Sequence, residues 1–270
     1  MLKNVVVTLI LLLWPLNLYQ HNTFDNYIAY VIPAAILAIA FLMSRKDDDN
    51  YFIPILTIGL FEKKFLILPV LFFTFIILSK FTRKTMLFLL SSILILVVFF
   101  KPFWGQTIFY KDYEAEQLVL RNIHLYPNAI LARVFQNKPL IILDKLSYNF
   151  FALTDPNNYF FAFHPRPIPL ENQNMFKYPF VALVFLIYGV LYIKENKNYK
   201  FIVTVFFASL VSLIILKNFD RNDFLLWVPL SLVCVHGINT LKKNNQKLYK
   251  WSSLVFAIFA IPEIIRALIK

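Results

Sequence analysis

The chain contains one cysteine, Cys234, four glycines and no Asn-x-Ser/Thr sequon. A single cysteine excludes an intrachain disulfide, and with it a disulfide-stapled ectodomain. So few glycines leave no glycine-rich loop to cradle a phosphate. Charge is also scarce. Asp, Glu, Lys and Arg make up 16% of the residues, against about 25% in ordinary soluble domains. No HExxH, GxSxG, CxxC or P-loop spacing occurs, so metalloprotease, α/β-hydrolase, zinc-ribbon and NTPase chemistry have no foothold.

What fills the 270 residues instead is apolar side chain, 59% of the total, with 30 Phe, 14 Tyr and 4 Trp. Mean hydropathy is +0.64. A soluble protein of this size has too little interior to hide so much apolar surface. Lipid is the simplest solvent for it. The net charge of +12 stands in short runs between apolar blocks, as cytoplasmic anchors of transmembrane helices do. No basic face accompanies a nucleic-acid-binding motif, so nucleic acid is not an expected partner.

The apolar blocks predict an all-α, polytopic membrane protein with eight or nine transmembrane helices. A spanning helix needs about 20 residues, somewhat fewer with snorkelling or thinning. Val5–Tyr19 reads as a retained anchor, because Trp14-Pro15 stands where a signal cleavage site would approach. Tyr27–Met43 follows and stops at Ser44-Arg45-Lys46. Phe52–Phe61 is short and is separated from Phe65–Ser79 by Glu62-Lys63-Lys64. Either the two pieces form a tight hairpin of short helices, or the first is a re-entrant or interfacial segment. Met86–Phe100, Pro179–Ile193, Phe201–Leu216, Phe224–Ile238 and Trp251–Leu268 complete the set. Three regions result: N-terminal helices (1–100), an aromatic-rich helical segment (101–177) and C-terminal helices (178–270).

Lys and Arg in short loops set orientation. With the N-terminus inside and a hairpin at 52–79, thirteen fall inside: Lys3, Arg45, Lys46, Lys80, Arg83, Lys84, Lys194, Lys197, Lys200, Lys242, Lys243, Lys247 and Lys250. Six fall outside: Lys63, Lys64, Lys217, Arg221, Arg266 and Lys270. The expected location is the cell membrane, with residues 101–177 extracytoplasmic.

Within that segment Lys111–His124 reads as an amphipathic helix, Ala129–Gln136 as a short second one and Leu140–Leu153 as a third. The dense aromatic run Tyr159–Phe163 and His164-Pro165-Arg166-Pro167 follow. One reading lays these helices on the membrane face, with rings at headgroup level. The other makes the surface a binding site. There Arg133, Lys138, Lys145 and Arg166 meet phosphate while aromatics stack on sugar or prenyl groups. His164 beside Arg166 is a ligand contact or an interfacial hydrogen bonder. Asp220 and Arg221 share a short outer loop, where they bind a ligand or pair with each other. Asp25, Asp112, Glu114 and Glu116 are the carboxylates available outside as general bases. His236 lies near the inner end of its span, where packing and hydrogen bonding fit its neighbours.

The run Leu143-Asp144-Lys145-Leu146-Ser147-Tyr148-Asn149-Phe150-Phe151, then Tyr159-Phe160-Phe161 and the return at Tyr178-Pro179-Phe180, resembles the external segment of bacterial GT-C class membrane glycosyltransferases, which include dolichyl-phosphate-mannose mannosyltransferase-like proteins. Asp220-Arg221-Asn222-Asp223-Phe224 followed by Pro229 and His236-Gly237 is similar to the Arg-then-Pro span late in that class. The resemblance covers about half the chain. It implies a polyprenyl-phosphate sugar donor, inverting transfer on the outer leaflet, Arg166 or Arg221 near the phosphate, and a divalent cation as the one cofactor. The class carries an acidic pair in the first external loop, whereas here Asp25 stands alone. The resemblance therefore implies a relative without catalysis or one relying on Asp25. The composition itself implies no cofactor. Two functions are expected from these residues: an envelope protein whose external segment binds lipid headgroups, glycans or a partner protein, or a glycosyltransferase.

Overall fold

A computed structural model describes residues 24–45, 51–110, 113–123, 128, 130, 137–160, 178–219 and 224–269. These residues are helical throughout, with no strand among them beyond an isolated bridge between Thr107 and Leu216. The helices are α1 (Phe24–Ser44), α2 (Phe52–Phe61), α3 (Ile67–Ser79), α4 (Arg83–Val98), α5 (Phe100–Trp104), α6 (Tyr113–Ile123), α7 (Lys138–Thr154), α8 (Ala182–Leu191), α9 (Tyr199–Ile214), α10 (Phe224–Asn244) and α11 (Gln246–Ile269). Among the described residues one helix, Leu225–Asn244 within α10, is by itself long and apolar enough to cross a membrane, and about two thirds of its apolar stretch is buried. Ile32–Ser44, α2, α8 and α9 are shorter apolar helices. The expected anchor Val5–Tyr19 and the expected helix Ala129–Gln136 lie outside the described residues, apart from Ile130.

Helix boundaries follow local chemistry. Thr82 caps α4 reciprocally: its Oγ1 accepts from Thr85 N at 3.1 Å, and Thr85 Oγ1 accepts from Thr82 N at 3.1 Å. This satisfies two amides that the first turn leaves without helical partners. Lys242 and Lys243 occupy the last turn of α10, where positive charge complements the carbonyl end of the helix.

Ring contacts show how the helices run. Phe52 of α2 meets Phe73 of α3 at 5.5 Å, and Lys63 in the turn between them lies 5.7 Å from the Phe99 ring at the end of α4. Thus α2 and α3 form an antiparallel hairpin with its turn beside the end of α4. Phe41 near the end of α1 meets Phe201 at the start of α9. Phe185 of α8 meets Phe256 of α11, and Phe180 meets Phe259, so α8 and α11 are antiparallel. Tyr178 pairs with Trp227 and Tyr192 with His236, so α8 and α10 are parallel, with α9 returning between them in the chain. Arg45, Lys80, Arg83, Lys194, Lys197, Lys242 and Lys243 therefore gather at one end of the bundle. The turn 62–66, α5, the end of α9 and the start of α10 gather at the other.

The closest helix pair is α8 with α10. A methyl built on Gly237 would lie 2.7 Å from Gly189 N and 2.8 Å from the carbonyl carbon of Phe185, and one on Gly189 would lie 2.7 Å from Val233 Cγ1. Only hydrogen fits at both crossings, as in the small-residue contacts that bring membrane helices together. The pair is fastened at both ends. Tyr178 Oη donates to Trp227 O at 3.2 Å and also hydrogen-bonds Ser231 Oγ. His236 Nε2 hydrogen-bonds Tyr192 O at 2.8 Å, taking up a carbonyl exposed where α8 ends. His236 thus has the packing role expected of it.

Candidate functional site

The segment after α4 is joined to the bundle at the end of α9. Ile108 N donates to Ile215 O at 2.9 Å and Lys217 N to Gln106 O at 2.9 Å. Asn149, buried on α7, donates through Nδ2 to Ile214 O at 2.7 Å and to Leu216 O at 2.9 Å. Ile108 N and Asn149 Nδ2 thereby reach carbonyls at and just past the end of α9 that the helix cannot satisfy internally. Farther along, Tyr159 Oη donates to Leu153 O at 2.7 Å, and Tyr178 N to Tyr159 O at 2.8 Å. Tyr159 and Phe160, the first two rings of the aromatic run, are each 4% exposed. They pack on Trp227 and Tyr178 at 5.3 and 5.7 Å. These two rings join the segment to the bundle rather than facing a ligand.

Beyond this joint, α6 and α7 frame a cleft of about 330 Å³. Its α7 wall is Lys138, Ile141, Ile142 and Lys145. These positions recur at the spacing that keeps them on one helix face. Its α6 wall is Glu116, Val119 and Leu120, again one face, and Ile108 and Tyr110 close the base. Local sequence builds the α7 wall in register. Asn137 caps the helix by accepting from Leu140 N at 3.0 Å, and Pro139 stands in its first turn, where a missing amide hydrogen is harmless. Lys217 Nζ lies 4.9 Å from the Tyr110 ring, adding a cation beside the base.

The cleft is thus an apolar trough with a lysine at each end of one wall and a carboxylate on the other. Apolar walls with a few placed charges are the usual make-up of small-ligand sites. Lysine ammoniums bind phosphate as point charges. Among the described residues no group of three or more His, Cys, Asp and Glu that could hold a metal ion occurs.

Of the expected site residues, Lys145 lies in this cleft. Asp25 falls in α1 and Glu114 in α6, with side chains outside the described set. Asp112, His164, Arg166, Asp220 and Arg221 lie outside the described residues altogether. Lys138, expected to meet phosphate, also lines the cleft, and Glu116, expected as an external carboxylate, stands on the wall opposite the two lysines. Ile108, Tyr110 and Asn149 carry no sequence signal, because their partners are remote in the chain. No protein-family model, no curated protein and no solved structure matches this chain.

Proposed function

We propose that this chain is a multi-pass protein of the cell membrane whose extracytoplasmic segment, residues 101–177, binds the phosphate-bearing headgroup of a lipid in the cleft between α6 and α7. The cleft carries the reading: an apolar trough with two lysines on one wall suits a ligand that joins an anionic group to an apolar one.

The surroundings support a lipid setting. On α4, Leu87, Leu90, Leu94 and Val97 are exposed along one face, Leu94 and Val97 each by 65%. On α11, Trp251, Leu254, Ile258, Ile261 and Ile265 are exposed at helical spacing. These stripes are costly against water and compatible with acyl chains, and helices apolar all round belong in a core or a bilayer. Lysine and arginine concentrate at the bundle end opposite the cleft, in keeping with the positive-inside rule. The short helices α2 and α8 cross with the help of the turns that flank them and a locally thinned bilayer.

Thiol labelling tests the topology. Cys234 is fully buried and is the only native thiol, so introduced cysteines report alone. Ser147→Cys is expected to react with a membrane-impermeant maleimide in intact cells, and Lys243→Cys only after permeabilisation. The reverse pattern overturns the orientation. Binding is read by native mass spectrometry of the detergent-solubilised chain with phosphatidylglycerol. Retained lipid that is lost in the Lys138→Gln/Lys145→Gln double variant supports the site. Equal retention by both proteins overturns it.

A further inference from the structure

Glu116 sets the cleft apart from a plain anion site. Two lysines alone would favour any phosphate, the more negative the better. A carboxylate on the facing wall repels a second negative charge and attracts a positive one. Lys138 and Lys145 stand two helical turns apart, about 10 Å along α7, with Ile141 and Ile142 between them on the same face. Glu116 faces this stretch from α6, beside Leu120. The volume of about 330 Å³ lies at the small end of ligand pockets. It admits a headgroup and the first methylenes of a chain, not a whole lipid.

We infer that the cleft selects a phospholipid headgroup bearing both a phosphate and a primary ammonium, with the phosphate on the lysines and the ammonium on Glu116. This deepens the headgroup-binding reading and rests on it. Phosphatidylethanolamine meets the requirement. Phosphatidylglycerol keeps the phosphate without the amine, and N-acetylated phosphatidylethanolamine keeps the phosphoethanolamine backbone while removing the positive charge.

Native mass spectrometry of the solubilised full chain, titrated with each of the three lipids, tests the assignment. Phosphatidylethanolamine is expected to bind about threefold to fivefold more tightly than either of the others, the range of a partly exposed ion pair. Glu116 is exposed, so Glu116→Gln leaves folding intact, and it is expected to abolish that preference, with phosphatidylglycerol bound more tightly once the repelling carboxylate is gone. Equal affinity for all three lipids in the wild-type chain overturns the ammonium assignment and leaves the phosphate site standing. A preference that survives Glu116→Gln also overturns it. Failure of all three to bind overturns this inference together with the headgroup-binding reading beneath it.

Discussion

Replacing Gly237 with alanine tests the parallel helix pair most directly. The added methyl would meet Gly189 N at 2.7 Å, the Phe185 carbonyl carbon at 2.8 Å and the Phe185 oxygen closer still, whereas ordinary contact begins near 3.4 Å. The obstacle is backbone, so no side-chain rotation relieves it. Clearing the Gly189 amide alone takes about 0.7 Å and clearing the Phe185 oxygen takes more, and gaps of 0.5–1 Å already forfeit about a quarter to a half of each dispersion contact along the interface. Parting also stretches the Tyr178–Trp227 and His236–Tyr192 hydrogen bonds. Overpacking typically costs about 1–3 kcal/mol, and a backbone obstacle puts this case at the upper end, about 3 kcal/mol. Gly105→Ala is the matched control. Its nearest neighbour would be 3.8 Å away, and its φ of −59° is ordinary helix geometry. It is expected to be neutral or to stabilise by about 0.5 kcal/mol through the unfolded chain. Equilibrium unfolding of the purified protein in mixed micelles, followed by far-ultraviolet circular dichroism, compares the two. If Gly237→Ala lies within about 0.5 kcal/mol of wild type, the close crossing of α8 and α10 is refuted.

Asn149→Leu removes both donors to the end of α9 and leaves the Ile214 and Leu216 carbonyls without them, with an expected loss of about 2 kcal/mol in the same unfolding assay; an unchanged midpoint would contradict the joint. Tyr178→Phe deletes the hydroxyl shared with Trp227 O and Ser231, and is expected to cost about 1–2 kcal/mol while preserving the ring packing, measured as a lower thermal midpoint with unaltered tryptophan emission. Wild-type Cys234, enclosed between α8 and α10 with its Sγ 3.8 Å from Ala182 O, is expected to stay unmodified by maleimide until denaturant is added, as followed by intact-protein mass; rapid native modification would show that the pair opens.

The helices were readable from the sequence because their signals are local. The apolar run at 52–61 and the break at Glu62-Lys63-Lys64 announce α2, its end and the turn, and the structure forms α2 over the same residues. The Phe52–Phe73 and Lys63–Phe99 contacts set α2 and α3 antiparallel, with their turn beside the end of α4. The amphipathic pattern near 140–153 likewise matches α7, which begins two residues earlier because Asn137 caps it and Pro139 stands in its first turn. Long-range pairings were not readable. Gly189 and Gly237 are unremarkable glycines until folding sets them together. Asn149 looks like any polar residue on an amphipathic helix, since its carbonyl partners lie 65 and 67 residues away. Tyr159 and Phe160 carry the composition of an interfacial belt, yet Trp227 and Tyr178 cover them. Composition records that a ring is apolar and not which neighbour shields it.

The way α7 is held gives it the mechanics of a lever. Its second half is pinned, by Asn149 to the end of α9 and through Leu153 and Tyr159 to the rings beside α10. Its first half forms a wall of the cleft. Lys138 stands about 16 Å along the axis from the pivot at Asn149. A guest that draws Lys138 and Lys145 toward α6 would therefore tilt the whole rod. The tilt would arrive at the last carbonyls of α9, converting occupancy at the rim into a pull on a helix that runs to the far end of the bundle.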